Sequence, residues 1–519
     1  MTGLVNVFHE VEQYKLFALQ LNGPQEGNPY VDVQLSARFS HVAENGSSAS
    51  IDEVVNVHGF YRGHGNYEIR FMASTVGSWV FETISNVPEL NSITGGFTVT
   101  PATEGNHGRV LRAIDVQRLD GLSLAHNEAQ YQFAYEDGTA FYPFGTTSYA
   151  WTNQSEQVQN QTVETLSRAS FNKMRMCIFP KFYDFNSEDP ELFAYDGDMG
   201  SGFDPYRFNE AFWENLDKRI AQLDALGIEA DIILLHPYDK EKWGFSKMSR
   251  EEDIFYLTYV ARRYAAYKNI WWSFANEYDL MPWKTREDWR LYARTVMAND
   301  PFNHLRSIHQ CITMYDHSEP WITHVSVQRI DVTRTTECVS DWRTDYGKPV
   351  VVDEAGYEGD IYWGWGNLTA EELNRRYWEG VLRGGYVTHG ETYLGNPNIW
   401  WAHGGKLYGQ SPERIAFLRD VREQAPRNLA PLDNPELKAF QYWDATVAVG
   451  DNGYRLIYFG FNRPAYREIN IKDLCGEGNF VVDVIDTWNM TITRLPGTYS
   501  DTVHCDLGKQ YMAIRIQKA

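Results

Sequence analysis

The sequence predicts an α/β chain: a (β/α)8 TIM barrel flanked by N-terminal and C-terminal β-sandwich domains. Three observations predict it. Eight short apolar runs lie between residues 141 and 392, with amphipathic segments between them. Before about residue 100 the pattern is one of alternating strands, and from about residue 430 it becomes so again. The expected domains are 1–104 (N-terminal sandwich), 105–428 (barrel with a leading hairpin) and 429–519 (C-terminal sandwich).

In the first segment, Val31, Val33, Leu35, Ala37 and Phe39 alternate with other residues, the period of a half-buried strand. Two further strand-like runs are Tyr67–Phe71 and Trp79–Phe81. Glu136-Asp137-Gly138 reads as the turn of a connecting hairpin. The eight barrel runs are Phe141–Tyr149, Lys173–Phe179, Ile228–His236, Ile270–Glu277, Leu305–Gln310, His324–Gln328, Pro349–Glu354 and Tyr386–Thr392.

Between several of these runs lie helices with one apolar face: Phe212, Leu216, Ile220 and Leu223; Ile254, Leu257, Ala261 and Tyr264; Leu373, Tyr377 and Val381. Capping boxes open two of them, Ser249-x-x-Glu252 and Thr369-x-x-Glu372, and Ser411-Pro412 places a cap residue before a first-turn proline. A doubly wound open sheet would usually carry a Gly-rich phosphate loop after its first strand, and this sequence has none there. Tyr454–Phe461, Phe480–Ile485 and Tyr511–Ile516 are the expected strands of the last domain.

Composition narrows the function. Net charge is −22 with no Lys/Arg run, which argues against nucleic acid and against an acidic membrane surface. No stretch approaches the ~20 apolar residues of a membrane span. The five cysteines form no C-x-x-C pair, so neither a disulfide framework nor a cysteine zinc site is expected. The first residues show no signal-peptide pattern, and the default expectation is a cytoplasmic protein. The 17 Trp, 32 Tyr and 27 Phe supply flat faces on which sugar rings stack, although a large β-rich protein also buries many aromatics.

Chemistry in such a barrel sits at the C-terminal ends of its strands. The fourth run ends Ala275-Asn276-Glu277 and the seventh ends Val352-Asp353-Glu354, each an apolar run stopped by a carboxylate. Two carboxyls facing one another across a barrel mouth are what glycoside hydrolysis requires, one protonated to release the leaving oxygen and one ionised to attack. Asp353 or Glu358 are alternative ionised partners. Asp353 should point the other way by alternation, and Glu358 lies beyond the strand. For Glu277 the alternative is a salt-bridged rim residue.

Asn-Glu on strand four with Glu on strand seven resembles the clan A glycoside hydrolases. The resemblance implies that Glu277 is the acid/base, that Glu354 is the nucleophile, and that Asn276 binds the sugar hydroxyl beside the reacting carbon. A closer resemblance spans nearly the whole chain. It is carried by Asn28-Pro29-Tyr30, Gly59-Phe60-Tyr61-Arg62-Gly63, Gly77-Ser78-Trp79, Phe141–Thr147, Asp353-Glu354-x-x-Tyr357-Glu358 and Val484–Trp488. These phrases, in this order, resemble the bacterial apiosidase-like glycoside hydrolases.

Further candidate substrate-binding residues are Arg175, His236, His309, Gln328, His389, Glu391, Trp151 and Trp400. Arg175 is expected to orient the nucleophile, as an arginine on strand two often does in the clan, and Trp151 to stack on sugar. Relatives often carry Trp on strand eight itself. Here that strand reads Thr388–Thr392, and Trp400-Trp401 follow in a loop.

The expectation is a retaining glycoside hydrolase that acts on an oligo- or polysaccharide without metal or organic cofactor. A carbohydrate-binding protein without catalysis on the same barrel is the alternative. An inverting enzyme or transglycosylase is a third.

Overall fold

The computed structural model describes residues 10–45, 48–116, 126–329 and 334–519. In the first part, a five-stranded sheet runs Glu10–Glu12, Thr94–Thr100, Gly77–Ser85, Leu35–Asn45, Ser48–His58 in spatial order. It faces a three-stranded sheet of Leu16–Asn22, Asn66–Met72 and Phe60–Gly63. Trp79, Phe81 and Thr83 point inward while Val80, Glu82 and Ile84 face solvent. Aromatic rings fill this core, where Phe39 stacks on Phe71 at 4.2 Å and Phe17 on Phe97 at 4.1 Å. The strand expected from Val31 begins only at Leu35. Pro29–Asp32 is a helical turn, with Pro29 fixing its first residue and the Asp32 carboxylate accepting the Asn28 N–H at 2.9 Å.

The barrel strands are β1 (Phe144–Thr147), β2 (Lys173–Cys177), β3 (Glu229–Leu235), β4 (Ile270–Ala275), β5 (Leu305–Ser307), β6 (Val325–Gln328), β7 (Val350–Glu354) and β8 (Tyr386–His389). Each lies inside its expected run. All are parallel, in the spatial order β5-β4-β3-β2-β1-β8-β7-β6. The ring is nearly closed. Between β5 and β6 no ladder forms, and single bonds bridge the gap: Thr323 N–H to the Arg306 carbonyl at 2.9 Å and Gln310 Nε2 to the Gln328 carbonyl at 3.0 Å.

The helices are α1 (Glu156–Leu166), α2 (Glu210–Ala225), α3 (Arg250–Tyr264), α4 (Arg286–Asn299), α5 (Val339–Tyr346), α6 (Ala370–Leu382) and α7 (Ser411–Gln424). The sequence suggested a helix after every strand, but residues 308–324, after β5, contain none. There the Lys348 ammonium donates to the carbonyls of His317, Glu319 and Ile322 at 2.6–2.9 Å, replacing the bonds a helix would have made internally.

The Ser249–Glu252 box forms in both directions. At Thr369 only half of it forms, because the Glu372 carboxylate turns to Arg375 and Arg376. A third box, Thr285–Asp288, was not anticipated. Ser411 is the first helical residue rather than a cap, and its hydroxyl donates to Glu358.

The barrel interior is polar and charge-balanced. The Lys173 ammonium lies 2.6 Å from Asp231 and 2.8 Å from Asp353, and Arg175 lies 3.4 and 3.7 Å from the same two carboxylates, all fully buried. Ser326 and Thr388 hydroxyls complete the shell of Asp353 at 2.5 and 3.0 Å. Asp353 thus faces the barrel axis, where alternation from a Glu354 aimed at the mouth would have turned it away.

The last part holds a six-stranded sheet (Ala430–Pro431, Thr446–Val449, Arg455–Tyr458, Met512–Lys518, Phe480–Asp486, Thr491–Arg494) and a two-stranded one (Tyr466–Asn470, Thr502–Asp506). Among the described residues no helix is long and apolar enough to cross a membrane.

Candidate active site

A cavity of about 270 Å³ opens at the C-terminal mouth of the barrel, close to the lower end of small-molecule sites at roughly 300 Å³. Glu277 and Glu354 both line it, with Asn276 and Gln328. Two local irregularities bring them there. Glu277 adopts a left-handed backbone (φ 55°, ψ 59°), unusual for a residue with a side chain. On β7 the register slips: Val327 faces Val352 and then Gln328 faces Glu354, so Asp353 is an extra residue. That bulge turns Glu354 toward the mouth although Asp353, next to it, points into the barrel.

The two carboxylates have different surroundings. Glu354 accepts the Tyr149 hydroxyl. Burial holds its pKa above the ordinary carboxylate value, against the pull of the Tyr149 hydroxyl, Lys181 and Arg175. Glu277 accepts the Tyr238 hydroxyl and, at 2.8 Å, Gln328 Nε2. Burial first, then the charge of Glu354, pushes its pKa up to about 7.

Asn276 Oδ1 accepts from Arg175 Nη2 at 3.1 Å and lies 3.1 Å from the Tyr149 hydroxyl. With its oxygen so engaged, its amide NH2 is the end left to donate. Lys181 also lines the cavity, its ammonium 3.3 Å from the Tyr149 ring centroid and 4.5 Å from that of Tyr238. Its pKa is lowered by burial, and the two glutamates work against that. Tyr183, Tyr357, Trp365 and Trp401 form an aromatic wall, with Trp401 4.9 Å from Trp365 and 5.4 Å from Tyr183.

Several expected sugar contacts lie elsewhere. Arg175 stays inside the barrel; its hydrogen bonds go to Asn276, Ser273 and Asp231, and none goes to Glu354. His236 is buried behind the cavity, bonded through Nε2 to the Phe179 carbonyl and through Nδ1 to the Tyr238 N–H, each at 3.1 Å. Burial holds its pKa down near 4. It anchors the turn carrying Tyr238. His309 is fully buried beneath the mouth, and only its backbone links Ala275 to Tyr278.

Trp151 is fully buried against Met176. Trp400 is also fully buried, with Nε1 on the Thr146 hydroxyl at 2.8 Å, and its neighbour Trp401 reaches the cavity instead. A wide turn at Ile399–His403 makes that choice, with Ile399 at φ 45°. His389 and Glu391 lie outside the barrel wall, since Thr388 takes the inward position on β8. Glu358 is buried too and lines no part of the cavity.

Sequence reading missed Tyr149, Lys181, Tyr183, Tyr238, Tyr357, Trp365 and Trp401. A signal did exist for four of them: Tyr149 ends the first apolar run, Tyr238 follows His236 by two residues, Tyr357 stands in the phrase Asp353-Glu354-x-x-Tyr357-Glu358, and Trp401 adjoins Trp400.

Residues 127–445 match the family described as apiosidase-like, catalytic domain. Residues 10–86 and 443–517 match two domains of unknown function, DUF5060 and DUF5605. No curated protein matches the chain. A candidate glycoside hydrolase from Bacteroides vulgatus is 36% identical, with a TM-score of 0.87 over 98% of this chain and 100% of that one. A glycoside hydrolase family 5 structure from the same organism shares the fold at 16% identity and a TM-score of 0.60, over 80% of this chain and 94% of its own. A match over more than half of the sequence, together with the full-length relative, decides the matter: the chain belongs to the apiosidase-like family and is a glycoside hydrolase with the clan A barrel fold.

Proposed function

We propose that the enzyme hydrolyses a glycosidic bond of an oligo- or polysaccharide with net retention, Glu277 serving as acid/base and Glu354 as nucleophile. The supporting observation is the asymmetry of the pair within one cavity. Glu354 has the Tyr149 hydroxyl and two nearby cations to keep it ionised, whereas Glu277 is buried beside that charge and holds a proton near neutral pH.

In the first step Glu277 delivers its proton to the leaving oxygen while Glu354 Oε attacks the anomeric carbon, giving a glycosyl-enzyme ester. In the second, Glu277, now ionised, takes a proton from water, which displaces Glu354. Asn276 donates its amide N–H to the hydroxyl beside the anomeric carbon, and Arg175 and Tyr149 hold it in that orientation. Tyr238 and Gln328 fix the acid/base. The aromatic wall stacks on the sugar, and the volume suits a single ring in the cavity. This scheme needs no cofactor.

The test is the anomeric configuration of the first-formed product, followed by proton NMR on a panel of aryl glycosides, with a 2-fluoro glycoside to trap the ester. Retention and a label on the peptide containing Glu354 are expected. Inverted product, or a label on another residue, sinks the proposal.

A further inference from the structure

The strongest feature outside the cavity is a buried cluster of Glu358, His389 and Glu391, whose ligating atoms lie within 4.8 Å of one another and which are all fully buried. Glu358 and Glu391 are direct partners in a short parallel pairing that follows β7 and β8, so their side chains share one face. Glu358 accepts four donors: the Tyr393 hydroxyl, the N–H groups of Gln410 and Ser411, and the Ser411 hydroxyl, at 2.5–3.0 Å. That shell suits a full negative charge; its two N–H donors are fixed by the backbone, so a cation reaches a Glu358 oxygen where the Ser411 or Tyr393 hydroxyl turns aside. Glu391 Oε2 accepts the Tyr408 N–H at 2.7 Å. Among the described residues neither carboxylate has a Lys or Arg partner. The sole ion-pair contact is His389 Nε2 with Glu391 Oε1 at 3.5 Å.

Those two atoms, both fully buried, have no hydrogen-bond partner. At 3.5 Å they are too far apart for an N–H···O bond, which runs to about 3.2 Å. The separation is instead the edge spanned by two ligands at about 2.1 Å around a tetrahedral ion, which is about 3.4 Å. On its other side, His389 Nδ1 lies 2.9 Å from Thr146 Oγ1, which also receives Trp400 Nε1–H. In the tautomer whose Nδ1–H donates to that hydroxyl, Nε2 presents a bare lone pair, the outer-sphere arrangement typical of a metal-bound histidine. Gly409 covers the cluster, where a Cβ would come within 2.4 Å of Glu358 Oε2 and 2.6 Å of Glu391 Oε1.

We infer that Glu358, His389 and Glu391 form a structural site for one zinc-class divalent cation, bound by two carboxylates and one imidazole. The ion neutralises two carboxylates that would otherwise repel each other in a dry interior. It ties together the segments after β7 and β8 and the start of α7. Tyr357 and Trp401 of the cavity wall stand on those segments, so the ion acts as a rivet behind the site rather than as a reagent in it.

The test uses the full chain. Protein stripped with a chelating resin is loaded with zinc chloride, desalted, and assayed for metal by inductively coupled plasma mass spectrometry and for its thermal midpoint. A parallel arm uses calcium chloride, and Glu391→Gln is treated alongside. The expected result is about one zinc per chain and a midpoint raised by several degrees in the natural protein, with both lost in Glu391→Gln. Substoichiometric zinc and an unmoved midpoint in the natural protein overturn the inference. So does zinc retained equally by Glu391→Gln, or retention of calcium in preference to zinc. The natural protein alone can return a negative result, so misfolding of the variant does not protect the proposal.

Discussion

Replacing Glu277 by Gln is expected to make the protein more stable at alkaline pH and nearly inactive. Glu277 has its pKa raised from an ordinary 4.5 to about 7 by burial and by the charge of Glu354. A carboxyl whose pKa is raised on folding lends stability in full below its unfolded pKa. That contribution drains away as pH rises through the folded one. Here the window runs from about pH 4.5 to about pH 7, and at 1.36 kcal/mol per pH unit it is worth about 3 kcal/mol. Glutamine cannot ionise and does not suffer the loss.

The introduced side-chain amide would also face the donor Gln328 Nε2, which now bonds Glu277 Oε1 at 2.8 Å; any mismatch there costs the same at every pH and cancels in the comparison. The readout is the difference in thermal midpoint between variant and natural protein at pH 5, 6, 7 and 8. At roughly 2–4 °C per kcal/mol for a domain of 150–250 residues, it should widen by several degrees across the range in favour of the variant. On the same samples, turnover of aryl glycosides should fall about 10²–10⁴-fold, the usual contribution of a general acid. Parallel midpoint curves would mean that Glu277 is already ionised at neutral pH in the folded protein, and the assignment of the acid would fail.

Two other outcomes follow from named contacts. Gln328→Leu removes a 2.8 Å hydrogen bond that favours the ionised form of Glu277, so the alkaline limb of kcat/KM should move to higher pH, by up to about one unit given the strength of bonds to charged groups. A limb that moves to lower pH contradicts the proposed role. Lys173→Met leaves Asp231 and Asp353 facing each other without the ammonium between them and should cost about 3–5 kcal/mol in denaturant unfolding, whereas Ser249→Ala at an exposed helix cap should cost about 1. Similar losses in the two variants would deny the interior network its weight.

The barrel was legible because stretches of its buried strands, such as Ile232–Leu235 and Val350–Val352, read as short apolar runs, and because the intervening helices keep one apolar stripe. The missing helix after β5 was not legible. What replaces it is Lys348, just before β7, which answers three carbonyls. Glu277 and Glu354 stood out because each ends an apolar run with a carboxylate. The cavity wall did not, for a geometric reason: His236 and Trp400 were one or two residues from the side chains that reach the cavity, Tyr238 and Trp401. Beyond a strand end, period-two reasoning no longer decides which neighbour faces inward. At Trp401 the decision falls to a turn containing an isoleucine at φ 45°.

The same consideration accounts for the two glutamates. A regular strand allows only one of two adjacent residues to face the barrel axis. At the mouth both members of two adjacent pairs do so: Asn276 with Glu277, and Asp353 with Glu354. Each pair needs a departure from regularity, a left-handed residue in the first and a bulge in the second. A left-handed residue with a side chain costs roughly 1–2 kcal/mol. At Glu277 it is held by Tyr278 N–H on the His309 carbonyl at 2.9 Å and Leu280 N–H on the Glu277 carbonyl at 3.0 Å. The regular part of the barrel, locked by Lys173, Arg175, Asp231 and Asp353, supplies the stiffness against which these distortions persist. Glu277→Gln leaves that backbone and its hydrogen bonds in place, and the part of its effect that varies with pH is whether the side chain can carry charge. The pH dependence of its stability therefore isolates protonation from strain.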